Sequence, residues 1–322
     1  METPILRMAG EPEDSNELYI KREDLLPFSM GGNKVRIGEA FFDDMKQKGC
    51  DCMVIYGSRH SNLCRVLSAL CKSRGVPCVM ICSHEDGEEQ EITNNTLLVD
   101  WTGTEIVHCR KQEIAAAVEE VMNRQKARGR TPYYIFGNKY GTGNEGTAAG
   151  AYAEAYKEIR EYERRRGFSF DYIFLPSGTG ATQSGLICGK LLMGGEASIM
   201  GVMISSREYG RAREVVREGI ASYFEKTGKS LPEDYQKEIH LLDQYRQGGY
   251  GRYDVRIEAC VREVYCRDGV ALDPVYTAKA FWGMKEYLKE KQVEGKKVLF
   301  LHTGGGPLFY YYLTKREKAS LS

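Results

Sequence analysis

The architecture of the chain can be read outward from Asp171-Tyr172-Ile173-Phe174-Leu175-Pro176-Ser177-Gly178-Thr179-Gly180-Ala181-Thr182. Its first part, Asp171–Leu175, is apolar after the aspartate, which is typical of a strand buried on both faces of a parallel sheet. A loop of glycines and hydroxyl side chains follows, and helical spacing begins near Thr182. In open parallel sheets, ligands bind outside the carboxyl ends of the strands, so this loop is a candidate binding element.

The same alternation of strand and helix recurs along the chain. Short apolar runs predict further strands at Cys52–Tyr56, Pro77–Ile81, Glu105–Cys109, Tyr133–Phe136, Ser198–Ile204 and Lys297–Leu301. Apolar residues at helical spacing predict helices at Asn62–Arg74, Glu88–Val99 and Glu113–Arg128. The mostly polar stretch Ala148–Phe170 is predicted to be a surface helix that joins two halves. The alternation predicts an α/β fold with open, mostly parallel sheets covered by helices.

Length and charge limit the classes of protein that the chain can represent. Its 322 residues exceed the roughly 250–300 at which one hydrophobic core stops growing, which favours two domains. Lys+Arg and Asp+Glu both total 45, and this zero net charge argues against a nucleic-acid binder. The sequence has no apolar leader and no membrane-length apolar run. Ten dilute cysteines without a Cys-x-x-Cys motif indicate a reducing cytoplasm and weigh against a metal site.

The glycine-rich loop after the predicted strand Asp171–Leu175 has the properties of a phosphate cradle. Its glycines let the backbone approach a ligand, its hydroxyls add donors, and the following helix supplies free N–H groups. The Gly-Lys-Ser/Thr of a Walker A loop is missing, and Gln183 stands where a dinucleotide fingerprint needs its third glycine. A monophosphate is therefore favoured over a nucleotide, and a plain strand–helix turn is the alternative. The candidate cradle is Ser177, Gly178, Thr179, Gly180, Ala181 and Thr182.

Two further loops carry reactive residue types. Lys34 follows Gly31-Gly32-Asn33 and is either a solvated loop residue or a desolvated amine with the lowered pKa that a Schiff-base nucleophile requires. Ser61 ends the loop Gly57–Asn62, where it could receive a ligand carboxylate or merely cap the helix. A phosphate cradle, a candidate Schiff-base lysine and a carboxylate-binding helix end together favour pyridoxal phosphate chemistry on amino acids.

Seven segments resemble the pyridoxal-phosphate enzyme family that contains 1-aminocyclopropane-1-carboxylate (ACC) deaminase and D-cysteine desulfhydrase, which has the tryptophan-synthase-β fold (fold type II). They occur in family order and cover nearly the whole chain. The segments are Ile20-Lys21-Arg22-Glu23-Asp24-Leu25, Gly31-Gly32-Asn33-Lys34-Val35-Arg36, Ser61-Asn62 with Arg65, Ser177-Gly178-Thr179-Gly180, Gly249-Tyr250-Gly251, Leu272-Asp273-Pro274-Val275-Tyr276-Thr277 and His302-Thr303-Gly304-Gly305.

The resemblance implies roles for individual residues. Lys34 would carry the cofactor as a Schiff base and move the α-proton of the substrate. Asn62 would hydrogen-bond the phenolic oxygen of the cofactor, and Ser61 with its neighbouring amides would receive the substrate carboxylate. Tyr250 and Tyr276 resemble the tyrosines that face the substrate. The loop from Ser177 to Thr182 would hold the cofactor phosphate.

Three positions within the resemblance bear on the substrate. ACC deaminases resemble one another in having Glu and Leu where this sequence has Thr277 and Thr303, so the chain looks closer to the desulfhydrases. With Gly304, these threonines would border the cofactor ring. A hydroxyl stabilises the protonated pyridine ring only weakly, which favours loss of a β-substituent over opening of a cyclopropane. His60 stands where relatives commonly have Gln, so it is a further candidate for substrate binding or for acid–base chemistry.

The function that the resemblance implies is a lyase reaction. It would be β-elimination from a small β-substituted, D-cysteine-like amino acid to a 2-oxo acid and ammonia. A β-replacement synthase, a racemase and a non-catalytic pyridoxal-phosphate-binding relative are the alternatives. The cofactor would lie between a large domain of residues 1–40 and 151–322 and a small domain of residues 41–150. We expect a cytoplasmic homodimer without a metal, nucleic-acid or membrane partner.

Overall fold

The computed structural model describes residues 1–9, 15–84 and 92–321. Its strands are β1 (Ile5–Arg7), β2 (Glu17–Arg22), β3 (Cys52–Gly57), β4 (Cys78–His84), β5 (Glu105–Arg110), β6 (Pro132–Tyr134), β7 (Tyr172–Ser177), β8 (Ser198–Met203), β9 (His240–Leu242) and β10 (Lys297–His302). Its α-helices are α1 (Lys34–Gln47), α2 (Asn62–Ser73), α3 (Asn94–Trp101), α4 (Ile114–Ala127), α5 (Glu145–Arg166), α6 (Ala181–Met193), α7 (Tyr209–Thr227), α8 (Val255–Asp268), α9 (Thr277–Glu290) and α10 (Gly306–Leu321).

Two sheets organise these elements. One has six strands in the order β1-β2-β10-β7-β8-β9, and every neighbouring pair is parallel except β1 with β2. The other has four parallel strands in the order β5-β4-β3-β6. The central strands are almost fully buried, as continuous apolar runs require. The prediction of an α/β fold with mostly parallel sheets covered by helices is confirmed.

The helix α5 is not the surface helix that its polar composition predicts. It packs along α6, and the side chains of Tyr152 and Tyr156 are 0% and 1% exposed. Two glycines of α6 allow this close approach, because a Cβ on Gly185 or Gly189 would lie 2.4 Å from the Cβ of Tyr152 or Tyr156. The prediction was wrong because tyrosine rings supply the buried area while the charged residues between them occupy the other face.

Three strands and one helix boundary also differ from the sequence prediction. The strands β1, β2 and β9 were missed; β1 and β9 have only three residues each, and charged side chains interrupt the apolar pattern of β2. The predicted helix Glu88–Val99 is observed as α3 from Asn94, with Thr93 as its N-cap. The part of that prediction before residue 92 lies outside the described residues.

The largest hydrophobic cluster spans both sheets. It joins Met53 of β3 to Leu175 of β7 through Phe41 of α1, Leu67 of α2 and buried tyrosines of α5. The chain is therefore packed continuously across the region where the two sheets meet, and the division into two domains at residues 40 and 150 stays a prediction. Among the described helices, none has both the length and the apolar character that crossing a bilayer requires.

Candidate active site

A cleft of about 590 Å³ collects the loops that follow the carboxyl ends of strands from both sheets. This is the position that parallel α/β architecture favours for ligands. Of the predicted site residues, Ala181 and Thr277 do not line the cleft. The others do: Lys34, His60, Ser61, Asn62, Ser177, Gly178, Thr179, Gly180, Thr182, Tyr250, Tyr276, Thr303 and Gly304.

Lys34 is the first residue of α1, and its side chain enters the cleft. Within the described part of the chain, its Nζ has no hydrogen-bond or ion-pair partner. Burial among protein atoms lowers the pKa of Lys34 to about 8. Burial also lowers the pKa of Lys279 to about 8, but that amine lies outside the cleft and donates to the Gly249 and Ile204 carbonyls at 2.6 and 3.4 Å. Of these two lysines, Lys34 is thus the one whose amine is available to a ligand in the cleft.

The turn before Lys34 fits only glycine. Gly31 has φ +68°, and a Cβ there would lie 2.0 Å from the carbonyl oxygen of Asp24. Gly32 donates its N–H to the Glu23 carbonyl at 2.9 Å. On the other side, Gly304 has φ +96°, and a Cβ there would lie 2.4 Å from the Cα of Gly32. Backbone contact between these two loops therefore fixes the start of α1 against the end of β10.

Asn33 connects Lys34 to two other loops. Its Nδ2 donates to Thr182 Oγ1 at 2.8 Å, and its backbone N–H donates to the Thr303 carbonyl at 3.0 Å. The side chain is 7% exposed. The sequence alone indicates no role for Asn33 beyond its place in the Gly-Gly-Asn-Lys motif. The structure shows that it holds the lysine, the phosphate loop and the loop after β10 in one arrangement.

A buried ionic network around Glu23 supports this arrangement. Glu23 is fully buried and accepts hydrogen bonds from Arg36 Nε at 2.7 Å, Tyr152 Oη at 2.8 Å and Thr3 Oγ1 at 2.6 Å. Burial by itself raises the pKa of Glu23, but the bonds and charges of Arg36 and Lys21 outweigh it, and the net pKa is lowered. The network explains why charged residues follow β2 inside the protein, since buried charges persist only when they are paired and hydrogen-bonded.

The loop between β7 and α6 forms a cradle for an anion. Gly180 has φ +77° and precedes the first residue of α6. The backbone N–H groups from Gly178 to Thr182 have no acceptor in the described part of the protein, as expected at a helix start. The Ser177 hydroxyl donates to Gln183 Oε1 at 2.9 Å, so it stiffens the loop. The backbone donors in this cradle suit a phosphate group.

The predicted carboxylate-binding loop is clamped by α3. Ser61 is the N-cap of α2, and its hydroxyl accepts from Cys64 N at 3.2 Å, so the capping interpretation is realised. Asn95 Nδ2 donates at 3.0 Å both to Asn62 Oδ1 and to the His60 carbonyl. Because the Asn62 oxygen is occupied, its Nδ2 is left as a donor toward a ligand oxygen. Sequence reasoning missed Asn95, since no strand or glycine loop precedes it.

Two tyrosines line the cleft beside the loop that carries Ser58 and His60. The hydroxyls of Tyr250 and Tyr276 are 2.5 Å apart, and Ser58 Oγ lies 3.5 Å from Tyr250 Oη. The ring of His60 meets that of Tyr250 edge-on at 6.1 Å. Burial raises the pKa of both tyrosines above its usual value, so both hydroxyls are protonated at neutral pH. The group can therefore donate or relay a proton inside the cleft.

Thr277 is placed behind the cleft wall. Its hydroxyl donates to Asp273 Oδ2 at 2.8 Å, and Asp273 Oδ1 accepts from the backbone of Val275 and Tyr276 at 3.0 and 2.8 Å. Burial raises the pKa of Asp273 to about 6. Thr277 therefore helps to build the turn that carries Tyr276, whereas Thr303 lines the cleft as expected. The contact of Thr303 with a cofactor ring stays a prediction.

Whole-chain comparisons agree with this geometry. A family model described as "Pyridoxal-phosphate dependent enzyme" matches residues 1–304. The chain belongs to the pyridoxal-phosphate-dependent enzymes. The Lys34 amine and the backbone donors of the cradle, which have no partner among the described residues, fit the aldehyde and the phosphate of pyridoxal phosphate. The predicted cofactor and the prediction of an enzyme are confirmed.

Several relatives of this pyridoxal-phosphate-dependent enzyme carry descriptive names. A putative ACC deaminase of Pyrococcus abyssi is 32% identical over 97% of this chain and 91% of its own length. A D-cysteine desulfhydrase of Klebsiella pneumoniae is 31% identical over 92% of this chain and 89% of its own length. A crystal structure described as an ACC deaminase homologue has a TM-score of 0.86 at 28% identity and covers 99% of this chain and 94% of its own. The family resemblance inferred from seven segments is confirmed.

Proposed function

We propose that this enzyme catalyses β-elimination from a small β-substituted amino acid and releases a 2-oxo acid and ammonia. The observation that carries the proposal is the buried Lys34 amine, which has no partner among the described residues and shares one cleft with the phosphate cradle and the Ser61 loop. The relative named D-cysteine desulfhydrase and Thr303, which lines the cleft, support elimination rather than ring opening.

In this proposal, the chain's own residues orient the substrate and move its proton. Ser61 and the first amides of α2 receive the substrate carboxylate. When bound, pyridoxal phosphate draws electron density from the α-carbon of an amino acid. Lys34 accepts the α-proton, since burial lowers its pKa to about 8 and favours the neutral amine. The paired hydroxyls of Tyr250 and Tyr276, 2.5 Å apart, face the leaving group and can protonate it.

The test is turnover by the purified, cofactor-loaded protein. Both enantiomers of cysteine and β-chloroalanine, together with ACC, should be supplied, and 2-oxo acid and ammonia should be measured. If the enzyme catalyses β-elimination, at least one β-substituted substrate should yield 2-oxo acid and ammonia in equal amounts. Lys34→Ala should abolish the activity, whereas Lys229→Ala, an exposed lysine on another part of the surface, should leave it unchanged.

Other outcomes separate the alternatives. If no substrate in the panel yields 2-oxo acid and ammonia, the elimination reaction is refuted. A new amino acid that appears only when a second nucleophile is added would indicate β-replacement. Loss of substrate chirality without ammonia would indicate a racemase. Preferential turnover of ACC over the β-substituted amino acids would contradict the interpretation of Thr303.

The assembly and location of the enzyme are also proposed. We infer a cytoplasmic homodimer built from subunits with the large and small domains given above. Ten cysteines without a single disulfide among them are consistent with a reducing compartment. Sedimentation equilibrium of the holoenzyme should give twice the 36.4 kDa mass of the chain, and a monomer at micromolar concentration would contradict the dimer.

A further inference from the structure

Arg65 is a buried arginine that joins α2 to the loop between β2 and α1. It lies in the first turn of α2 and is 1% exposed. Its Nη1 donates to Ser29 Oγ at 2.9 Å, and its Nη2 donates to the Gly31 carbonyl at 3.4 Å. Burial lowers the pKa of Arg65 to about 10, so the guanidinium is still protonated at neutral pH. One planar cation therefore holds two points of the loop that precedes Lys34.

The part of the loop that Arg65 holds is a strained turn of residues 28–31. The N–H of Gly31 donates to the Phe28 carbonyl at 2.8 Å, so Ser29 and Met30 are the central residues of a β-turn. Their φ angles are +43° and +59°. Positive φ at both central positions is the pattern of a type I′ turn, which favours Gly, Asn and Asp. Serine and methionine adopt this conformation at a cost, so the turn needs contacts from elsewhere to persist.

The 28–31 turn determines where the Lys34 side chain starts. Its last residue, Gly31, precedes Lys34 by three positions, and α1 begins at Lys34. If the turn relaxed to negative φ, the chain would approach α1 from another direction and the amine would move. Arg65 also donates its backbone N–H to the Ser61 carbonyl at 3.2 Å. The same residue thus ties the start of α2, beside the predicted carboxylate-binding loop, to the loop that carries the lysine.

We propose that Arg65 is a positioning residue, which holds the 28–31 turn in its left-handed conformation and so keeps the Lys34 amine within reach of the cofactor aldehyde. The inference concerns capture of the cofactor and is independent of the reaction that follows. In this capture, Lys34 Nζ attacks the aldehyde carbon, a C=N bond replaces the C=O bond, and one molecule of water leaves. The step is redox-neutral. Arg65 does not line the cleft, so it acts through the turn.

The experiment separates covalent capture from binding of the same ring and phosphate. The cofactor-free chain is titrated with pyridoxal phosphate and, separately, with pyridoxamine phosphate, which has an amine in place of the aldehyde. The Kd for pyridoxamine phosphate divided by that for pyridoxal phosphate, the capture ratio, measures what the Lys34 bond adds. Arg65→Met is compared with Lys34→Ala, which gives the ratio without capture. Arg213→Met is the matched control, because Arg213 donates to the carbonyls of Ile239 and Gln236 outside the cleft.

We expect Arg65→Met to lower the capture ratio about 10- to 100-fold, toward the value of Lys34→Ala, which is the range for a lost hydrogen bond from a charged group. The Kd for pyridoxamine phosphate should change less than about threefold, and Arg213→Met should change neither quantity. Equal weakening of both ligands would assign Arg65 to the fold of the whole cleft and overturn the proposal. An unchanged ratio in Arg65→Met, or a full ratio in Lys34→Ala, would also overturn it.

A second substitution tests whether Arg65 opposes strain in the turn. Met30 is 51% exposed, and glycine at this position would adopt φ +59° without the cost that a side chain adds. Met30→Gly should therefore recover at least about threefold of the capture ratio that Arg65→Met loses. Met30→Ala removes the same long side chain but keeps the Cβ, so it should recover nothing. Equal effects of the glycine and alanine substitutions in the Arg65→Met background would overturn the proposal.

Discussion

The hydrogen bond from Asn33 to Thr182 predicts a loss of cofactor affinity in the variant Asn33→Ala. This 2.8 Å bond is buried and joins the residue before Lys34 to the end of the phosphate cradle. Removing the amide leaves the Thr182 hydroxyl without its donor and frees the two loops to separate. A buried hydrogen bond lost in this way costs about 1–2 kcal/mol, so the Kd for pyridoxal phosphate should rise about 5- to 30-fold.

The assay is a titration of the cofactor-free protein with pyridoxal phosphate, followed by its absorbance at about 410–420 nm, where a protein-bound Schiff base absorbs. Asn94→Ala is the matched control, because its Nδ2 also makes a hydrogen bond, at 3.0 Å to the Pro307 carbonyl, but outside the cleft. It should change the Kd less than about twofold. In a double-mutant cycle with Thr182→Val, the two losses should be clearly less than additive. Additive losses, or equal Kd values for Asn33→Ala and Asn94→Ala, would refute the claim that this bond couples the two loops.

Three further predictions follow from the geometry of the cleft. In urea titrations, Gly304→Ala should lower the free energy of unfolding by at least about 2 kcal/mol more than Gly129→Ala does. Both glycines have positive φ, but of the two only a Cβ on Gly304 would meet backbone, at 2.4 Å from the Cα of Gly32. Equal losses would show that the contact is relieved by small shifts. Covalent uptake of pyridoxal phosphate needs the neutral Lys34 amine, so its rate should rise with pH and level off above about 8, the lowered pKa; a rise that continues to pH 10 would indicate an unperturbed lysine. Tyr276→Phe should lower kcat about 100-fold with unchanged cofactor Kd, whereas the exposed Tyr265→Phe should leave both unchanged; an unaltered kcat in Tyr276→Phe would exclude its hydroxyl from proton transfer.

The fold was predictable because parallel strands buried on both faces leave unmistakable apolar runs in the sequence. The runs at β3, β7 and β10 also located the loops that follow them, and with these loops came Ser61, the cradle and Gly304. Lys34 follows the missed strand β2 and was found from the glycines that precede it. Short edge strands such as β1 and β9 left no such signal, because three residues carry too little pattern. For helix α5 the pattern gave a wrong prediction of an exposed helix. Most of its residues are polar, but its tyrosine side chains are buried against α6.

The residues that connect the loops could not be found from sequence. Asn33 and Asn95 act through contacts with residues more than 30 positions away, and Asp273 acts by building the turn that carries Tyr276. Such contacts depend on the tertiary arrangement of loops and not on any local spacing. The position of Thr277 could not be predicted for the same reason. Nothing in its motif indicated that its hydroxyl would donate to Asp273 instead of facing the cleft.

We infer that the amine of Lys34 is the one that binds the cofactor covalently. Reducing the cofactor-loaded protein with borohydride, digesting it and locating the pyridoxyl group by peptide mass spectrometry tests this assignment. Lys279 provides an internal comparison, because burial lowers its pKa to about 8 as well. We expect a pyridoxyl group on Lys34 and an unmodified Lys279. Modification of Lys279 or another lysine, or a protein that takes up no cofactor, would contradict the assignment.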